Sequence, residues 1–243
     1  MKRLRPIDKV RASRDGHEFH EAWAARKALQ LVVPLDGLVG IAVEGLAPAD
    51  QQGVSDETVE IADLVLYYGK GPTFDAAESV AIVQFKYSKG LAGVPYRASE
   101  IKNTIRKFAQ AYKSHKKKYG TKEVEKKLSF ELISNRPIHP GLTEAIENIA
   151  SGLPLKGDAK KQARQFVSAS GLDSREARSF AQKVAVIGRA GSLLQNKQAL
   201  SRVIADWSVA PDAFGKGTSR CDETTSQGQG WAGGRATESY NSD

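Results

Sequence analysis

SVAIVQFKYS, Ser79 to Ser88, is the stretch whose reading decides the fold. Four apolar residues, Val80 to Val83, lead into an alternation through Gln84, Phe85, Lys86 and Tyr87. Side chains on a strand alternate faces, so Gln84 and Lys86 share one face and Val83, Phe85 and Tyr87 the other. The pattern predicts a buried strand with two polar groups near its end. A lysine there is costly without a partner, so acids elsewhere in the chain are its expected complement.

Working outward, VEIADLVLYY (59–68) predicts the preceding strand, with Asp63 on the same face as Val59, Ile61, Val65 and Tyr67. LVGIAV (38–43) predicts an earlier strand, closed by Glu44, and 45–57 has loop composition. HEFHEAWAARKALQLVV predicts a first helix from about Asp15 to the stop at Pro34. Phe19 and Trp23 form an i,i+4 pair on it, and Glu18 extends the row of Ala22, Ala25, Leu29 and Val32.

Downstream, a helix is expected over about 99–119, with Ile101, Ile105, Phe108 and Tyr112 as its apolar row. Basic residues crowd its outer face and tail, from Lys102, Arg106 and Lys107 to the run Lys116, Lys117 and Lys118. LSFELIS (128–134) predicts a strand, followed by Asn135, Arg136 and a helix near 141–150. Residues 156–207 read as wholly helical, in three helices near 158–170, 173–185 and 195–207.

The expected organisation is a flexible basic lead (1–14), an α/β domain (15–152), a helical extension (153–210) and a tail (211–243). The tail contains no Leu, Ile, Val or Met and cannot bury enough apolar surface to fold alone. It reads either as disordered or as a segment out of frame that replaces a helical continuation.

Composition sets the bounds. At 243 residues the chain suits one good-sized domain, and no run approaches a membrane span. The N-terminus has basic residues without an apolar stretch behind them, which argues against a secretory signal. Cys221 is the single cysteine, so a disulfide framework and a cysteine zinc site are excluded. A cytoplasmic location is the expectation. The formal charge is +8, and the tail carries more acids than bases, so the excess sits in the first 210 residues. Such an excess favours a polyanion such as nucleic acid.

The polar residues make a coherent chemical set. Phosphodiester hydrolysis calls for a metal that polarises a phosphoryl oxygen and acidifies a water. Magnesium accepts one or two carboxylates plus neutral oxygens. Asp63 would be the central ligand, and the Gln84 side chain or the Phe85 carbonyl would add an oxygen. Lys86 would orient the attacking water or balance phosphate charge. Glu44 or Glu18 would be the third acid, with Glu21 a competitor. HEFH falls one residue short of HExxH, so its histidines lose the i,i+4 facing that zinc peptidases use.

Taken together, GHEFHEAW (16–23), IAVEGL (41–46), EIADLVLYY (60–68) and VQFKYS (83–88) resemble the PD-(D/E)xK nuclease superfamily, in its Mrr-like variant with glutamine for the second acid. The arrangement is similar to the N-terminal double-stranded DNA endonuclease domains of bacterial antiphage effectors. The resemblance spans about 13–150 and implies a restriction-endonuclease-like core, a central mixed sheet flanked by helices. It implies Asp63, Gln84, Lys86, Glu44 and Glu18 as catalytic residues, and Asp63, Gln84 and Glu44 as ligands of Mg2+ or Mn2+. Lys102, Arg106, Lys116, Lys117 and Arg136 become candidate DNA contacts. The implied partners are double-stranded DNA and either further copies of the chain or C-terminal sensor or NTPase modules. The second reading is a DNA-binding module on the same fold without catalysis.

Overall fold

The computed structural model describes residues 6–32, 36–52 and 62–209. The expectations for the lead before Pro6, for 53–61 (including Glu60) and for the tail lie outside those residues.

Five strands form one mixed sheet in the order β1 (Leu38–Val43), β2 (Leu64–Gly69), β3 (Ala77–Lys86), β4 (Leu128–Ser134) and β5 (Val184–Ile187). β1, β2 and β3 are antiparallel neighbours, whereas β3, β4 and β5 run parallel. The helices are α1 (Pro6–Leu29), α2 (Pro48–Gln51), α3 (Lys102–Tyr119), α4 (Thr121–Lys127), α5 (Pro140–Ser151), α6 (Gly157–Ser170), α7 (Ser174–Ala181) and α8 (Leu193–Val209). Among the described residues no helix is long and apolar enough to cross a membrane.

The opening stretch is the central strand, and its alternation splits the core in two. Val80 and Ile82 face a layer built with Val65, Tyr67, Phe130 and Leu132, to which α3 adds Ile101, Ile105, Phe108 and Tyr112. Phe166 and Phe180, from α6 and α7, complete that layer. Ala81, Val83 and Phe85 face the other way, against Phe19 of α1. Phe19 and Phe85 meet edge to face at 6.1 Å. Burying a phenylalanine side chain contributes about 1.5–3 kcal/mol, so this pair anchors α1 to the sheet. α3 ends at Gly120, whose φ of 84° turns the chain into α4 at a conformation that side chains with a Cβ avoid.

Four expectations need correction. The first helix begins at Pro6, so 6–14 continue α1 instead of forming a separate lead. The strand expected to start at Val59 begins at Leu64, with Asp63 just before it. The C-terminal region is not wholly helical, because VAVI (184–187) is the edge strand β5, hydrogen-bonded to β4. Alternating Val184 and Val186 pack on the main core, and a parallel ladder is a better use of two β-branched residues than another helical turn. The division expected at 152/153 falls inside one packed unit, since Phe166, Leu172 and Phe180 belong to the same core as Ile82.

Candidate active site

β2 and β3 are paired with Leu64 opposite Val83, and β1 and β2 with Val43 opposite Leu64. One step further along both ladders, Asp63 stands opposite Gln84 and Glu44 opposite Asp63. The backbone confirms the row: Asp63 N–H donates to the Val83 carbonyl at 3.1 Å, and Glu44 N–H to the Asp63 carbonyl at 3.0 Å. Three polar side chains from three strands therefore start from one end of the sheet. Lys86, two residues beyond Gln84 on the same face, overhangs it.

Asp63 Oδ2 accepts a hydrogen bond from Phe85 N–H at 2.6 Å, which fixes its carboxylate across the end of β3. Gln84 is 7% exposed, and its Oε1 has no hydrogen-bond partner. A buried carbonyl oxygen without a donor costs about 1–3 kcal/mol, so its retention points to a use. Burial lowers the pKa of the Lys86 ammonium, Asp63 nearby opposes that shift, and Lys107 reinforces it. Glu44 adopts φ 54°, rare for a residue with a Cβ, and its side chain is exposed.

α1 contributes histidines. His20 tilts its ring against Phe85, centroids 5.1 Å apart. Burial lowers its pKa, and Asp63, His17, Lys86 and Glu44 all act on it electrostatically. His17 Nδ1 lies 3.9 Å from Glu44 and its Nε2 3.4 Å from Glu21, so both competing acids reach the site's rim through one imidazole. Glu18 points elsewhere. It is ion-paired with Lys197 of α8 and with Arg14, which hold its pKa well down, at about 2. Its carboxylate is thus turned to α8 and to Arg14 and makes no contact with Asp63 or Gln84.

The basic residues divide sharply. Arg136 is 3% exposed: its guanidinium lies over Tyr96 at 3.7 Å and donates to the Val94 and Pro95 carbonyls and to Glu100. It is a loop clamp, with Nε and Nη2 hydrogen-bonded within the protein. Asn135 likewise exchanges two hydrogen bonds with the Ser88 backbone. Lys116 lies over Tyr112 and 3.8 Å from Glu176, so it ties α3 to α7. Lys102, Arg106 and Lys117 are exposed, as expected of surface cations.

The sequence weighs His20 only as half of HEFH and Lys107 only as one of many cations, and it does not point to Thr104 at all. His20 carried a signal, the histidine one residue after the buried Phe19. The other two carried none, because helical spacing alone does not tell which turn of α3 meets the end of β3.

Among the described residues no group of three or more His, Cys, Asp or Glu side chains is placed to hold a metal. A hard divalent cation needs fewer: it takes neutral oxygens and keeps its own waters. Asp63 with the unpartnered Gln84 oxygen fits such a cation as a donor set. No protein-family model and no curated protein matches the chain.

Proposed function

We propose that the chain is a metal-dependent endonuclease domain of the PD-(D/E)xK type that hydrolyses phosphodiester bonds in double-stranded DNA, in bacterial antiphage defence. The reading takes the mixed sheet as a restriction-endonuclease-like core. One observation carries it: Asp63, pinned by Phe85 N–H, stands beside a buried Gln84 oxygen without a donor and within electrostatic reach of Lys86.

Asp63, Gln84 and Glu44 would hold Mg2+ or Mn2+, which would supply positive charge at the phosphoryl oxygen and a more acidic water. The rest falls to the chain's own groups. Phe85 N–H orients the Asp63 carboxylate. Lys86, its ammonium partly desolvated, holds charge or a water against the phosphate. The Glu44 side chain stands at the rim with His17, from where it would reach the metal through a water. The exposed Lys102, Arg106 and Lys117 supply contacts to phosphates that read no sequence.

Plasmid nicking with and without magnesium tests this. Wild type should nick only with the metal, and Lys86→Ala should lose the activity. Equal cleavage by both proteins sinks the assignment. The exposed cations of α3 also favour a second reading, a DNA-binding module without catalysis. It predicts salt-dependent retention of an intact duplex in both magnesium and manganese.

A further inference from the structure

α3 runs back along β3. Its last turn stacks Tyr119 on Phe74, ahead of β3, with ring centroids 4.1 Å apart. Halfway along, Phe108 meets Phe130 at 5.0 Å, and Phe130 is paired with Ile82. One helical turn back from Phe108 is about 6 Å along the axis. Two residues on from Ile82 is about 6.6 Å along the strand. Thr104 is therefore level with Gln84, at the same end of the sheet as Asp63.

Thr104 is 2% exposed, and its hydroxyl has no hydrogen-bond partner. Two of the buried oxygens left unpaired in the protein, those of Gln84 and Thr104, thus lie at one level on the seam between β3 and α3. Lys107, one turn on from Thr104 and half-buried, lies within electrostatic range of Lys86. Two cations at one end of the sheet favour an anion between them. The first turn of α3 adds to it: no acid lies there and no side chain caps its amides.

Three other cations of α3 and α4 are engaged by the fold. Lys113 donates to the Gly171 carbonyl, Lys118 to the Asp50 carbonyl, and Lys127 to the carbonyls of Phe74 and Asp75.

We propose that Lys107 and the Thr104 hydroxyl form a phosphate-binding subsite on α3, gripping a polynucleotide phosphate beside Asp63, Gln84 and Lys86. This rests on the nuclease reading and adds a second wall to that centre. Lys107 supplies charge, and Thr104 supplies a hydroxyl donor to a phosphate oxygen or to the water that bridges to it. The substrate class is a phosphodiester backbone, held without regard to base.

The test separates grip from cleavage. Binding of a fluorescein-labelled 20-base-pair duplex is followed by anisotropy in EDTA, in an Asp63→Asn background, with thermal melting to confirm the fold. Lys107→Ala should weaken binding about tenfold and reduce the log–log salt slope by about one. Thr104→Val should weaken it about threefold, as loss of one hydrogen bond would, and Thr104→Ser should restore it. Lys122→Ala, an exposed lysine on α4, is the control. Affinity of Lys107→Ala no lower than that of the control overturns the subsite. Cleavage of plasmid by wild type with magnesium is scored separately. If it is absent while Lys107→Ala still loses binding, catalysis fails and the subsite stands. If it is present and Lys107→Ala is unaffected in both assays, the subsite fails and the nuclease stands. If wild type neither binds nor cleaves, both fall.

Discussion

The two ends of the β2–β3–α3 layer each carry an aspartate, buried at one end and half-buried at the other, and they treat it oppositely. At one end Asp50 is 4% exposed and saturated: the Tyr67 and Tyr119 hydroxyls and Phe74 N–H donate to its carboxylate, and Lys118 donates to its carbonyl. Burial, with Asp50 close by, pushes both tyrosine hydroxyls well above their ordinary pKa, so they stay protonated donors. At the other end the Asp63 carboxylate accepts one hydrogen bond, from the Phe85 amide, stands opposite Gln84, whose side-chain oxygen has no donor, and lies within electrostatic reach of Lys86. A carboxylate with every lone pair satisfied is part of the scaffold. One with capacity left over, beside other unsatisfied groups, is equipped to meet a ligand.

The contrast breaks first at Asp63 and Lys86. Asp63→Asn or Lys86→Ala should cut nicking by about a thousandfold, within the range for losing an acid–base or charge-stabilising group. Denaturant midpoints should barely move. A collapse of stability without residual folded protein would place Asp63 with Asp50 as scaffold.

Asp50→Ala should behave in reverse. It strands two hydroxyls and an amide in the core, which costs about 3 kcal/mol, read as a lower urea midpoint. Activity of the folded fraction should persist. Next in size, Arg136→Ala should cost about 2 kcal/mol through lost stacking and carbonyl contacts, with DNA affinity retained. Uniformly weaker DNA binding at unchanged stability would return Arg136 to the interface.

The smallest effect concerns Glu131, whose side chain is on the α1 side of β4. Burial raises its carboxyl pKa, and Lys27 opposes the shift only in part. A raised folded pKa means protons bind the native state more tightly, so this stability term is full below the unfolded value and fades as pH rises through the folded one. Glu131→Gln should therefore gain on wild type as pH rises from 4 to 8, measured by denaturant unfolding at each pH. A constant gap between the two curves would show that Glu131 does not titrate differently on folding.

Much of the frame was legible in the sequence because it rests on local pattern. β1 and β4 take the limits their alternation and flanking residues set, and the apolar row of α3 is buried throughout. β5 was not legible: four residues following Gln182 and Lys183 are too short a signal, and only the vacant edge of β4 makes them a strand. The site was legible in part. Parity placed Gln84 with Lys86, and the strand order placed Asp63 against Gln84. The role of each cation was not, since charge counts say nothing of partners distant in sequence, such as Asp50 for Lys118 or Val94 for Arg136. Glu18 shows the same limit, because its apolar row proved to face α8, where Lys197 waits.

β5 also has a practical consequence for anyone cutting the gene. A chain stopped after residue 152, at the boundary its composition invites, would lose β5 together with Phe166 and Phe180. The outer ladder of β4 would then lie bare, a row of free amides and carbonyls beside an opened apolar layer. Such an edge recruits other strands, so the short product should collect in inclusion bodies, whereas one extended past Ile187 keeps β4 covered and leaves only the four-residue edge of β5.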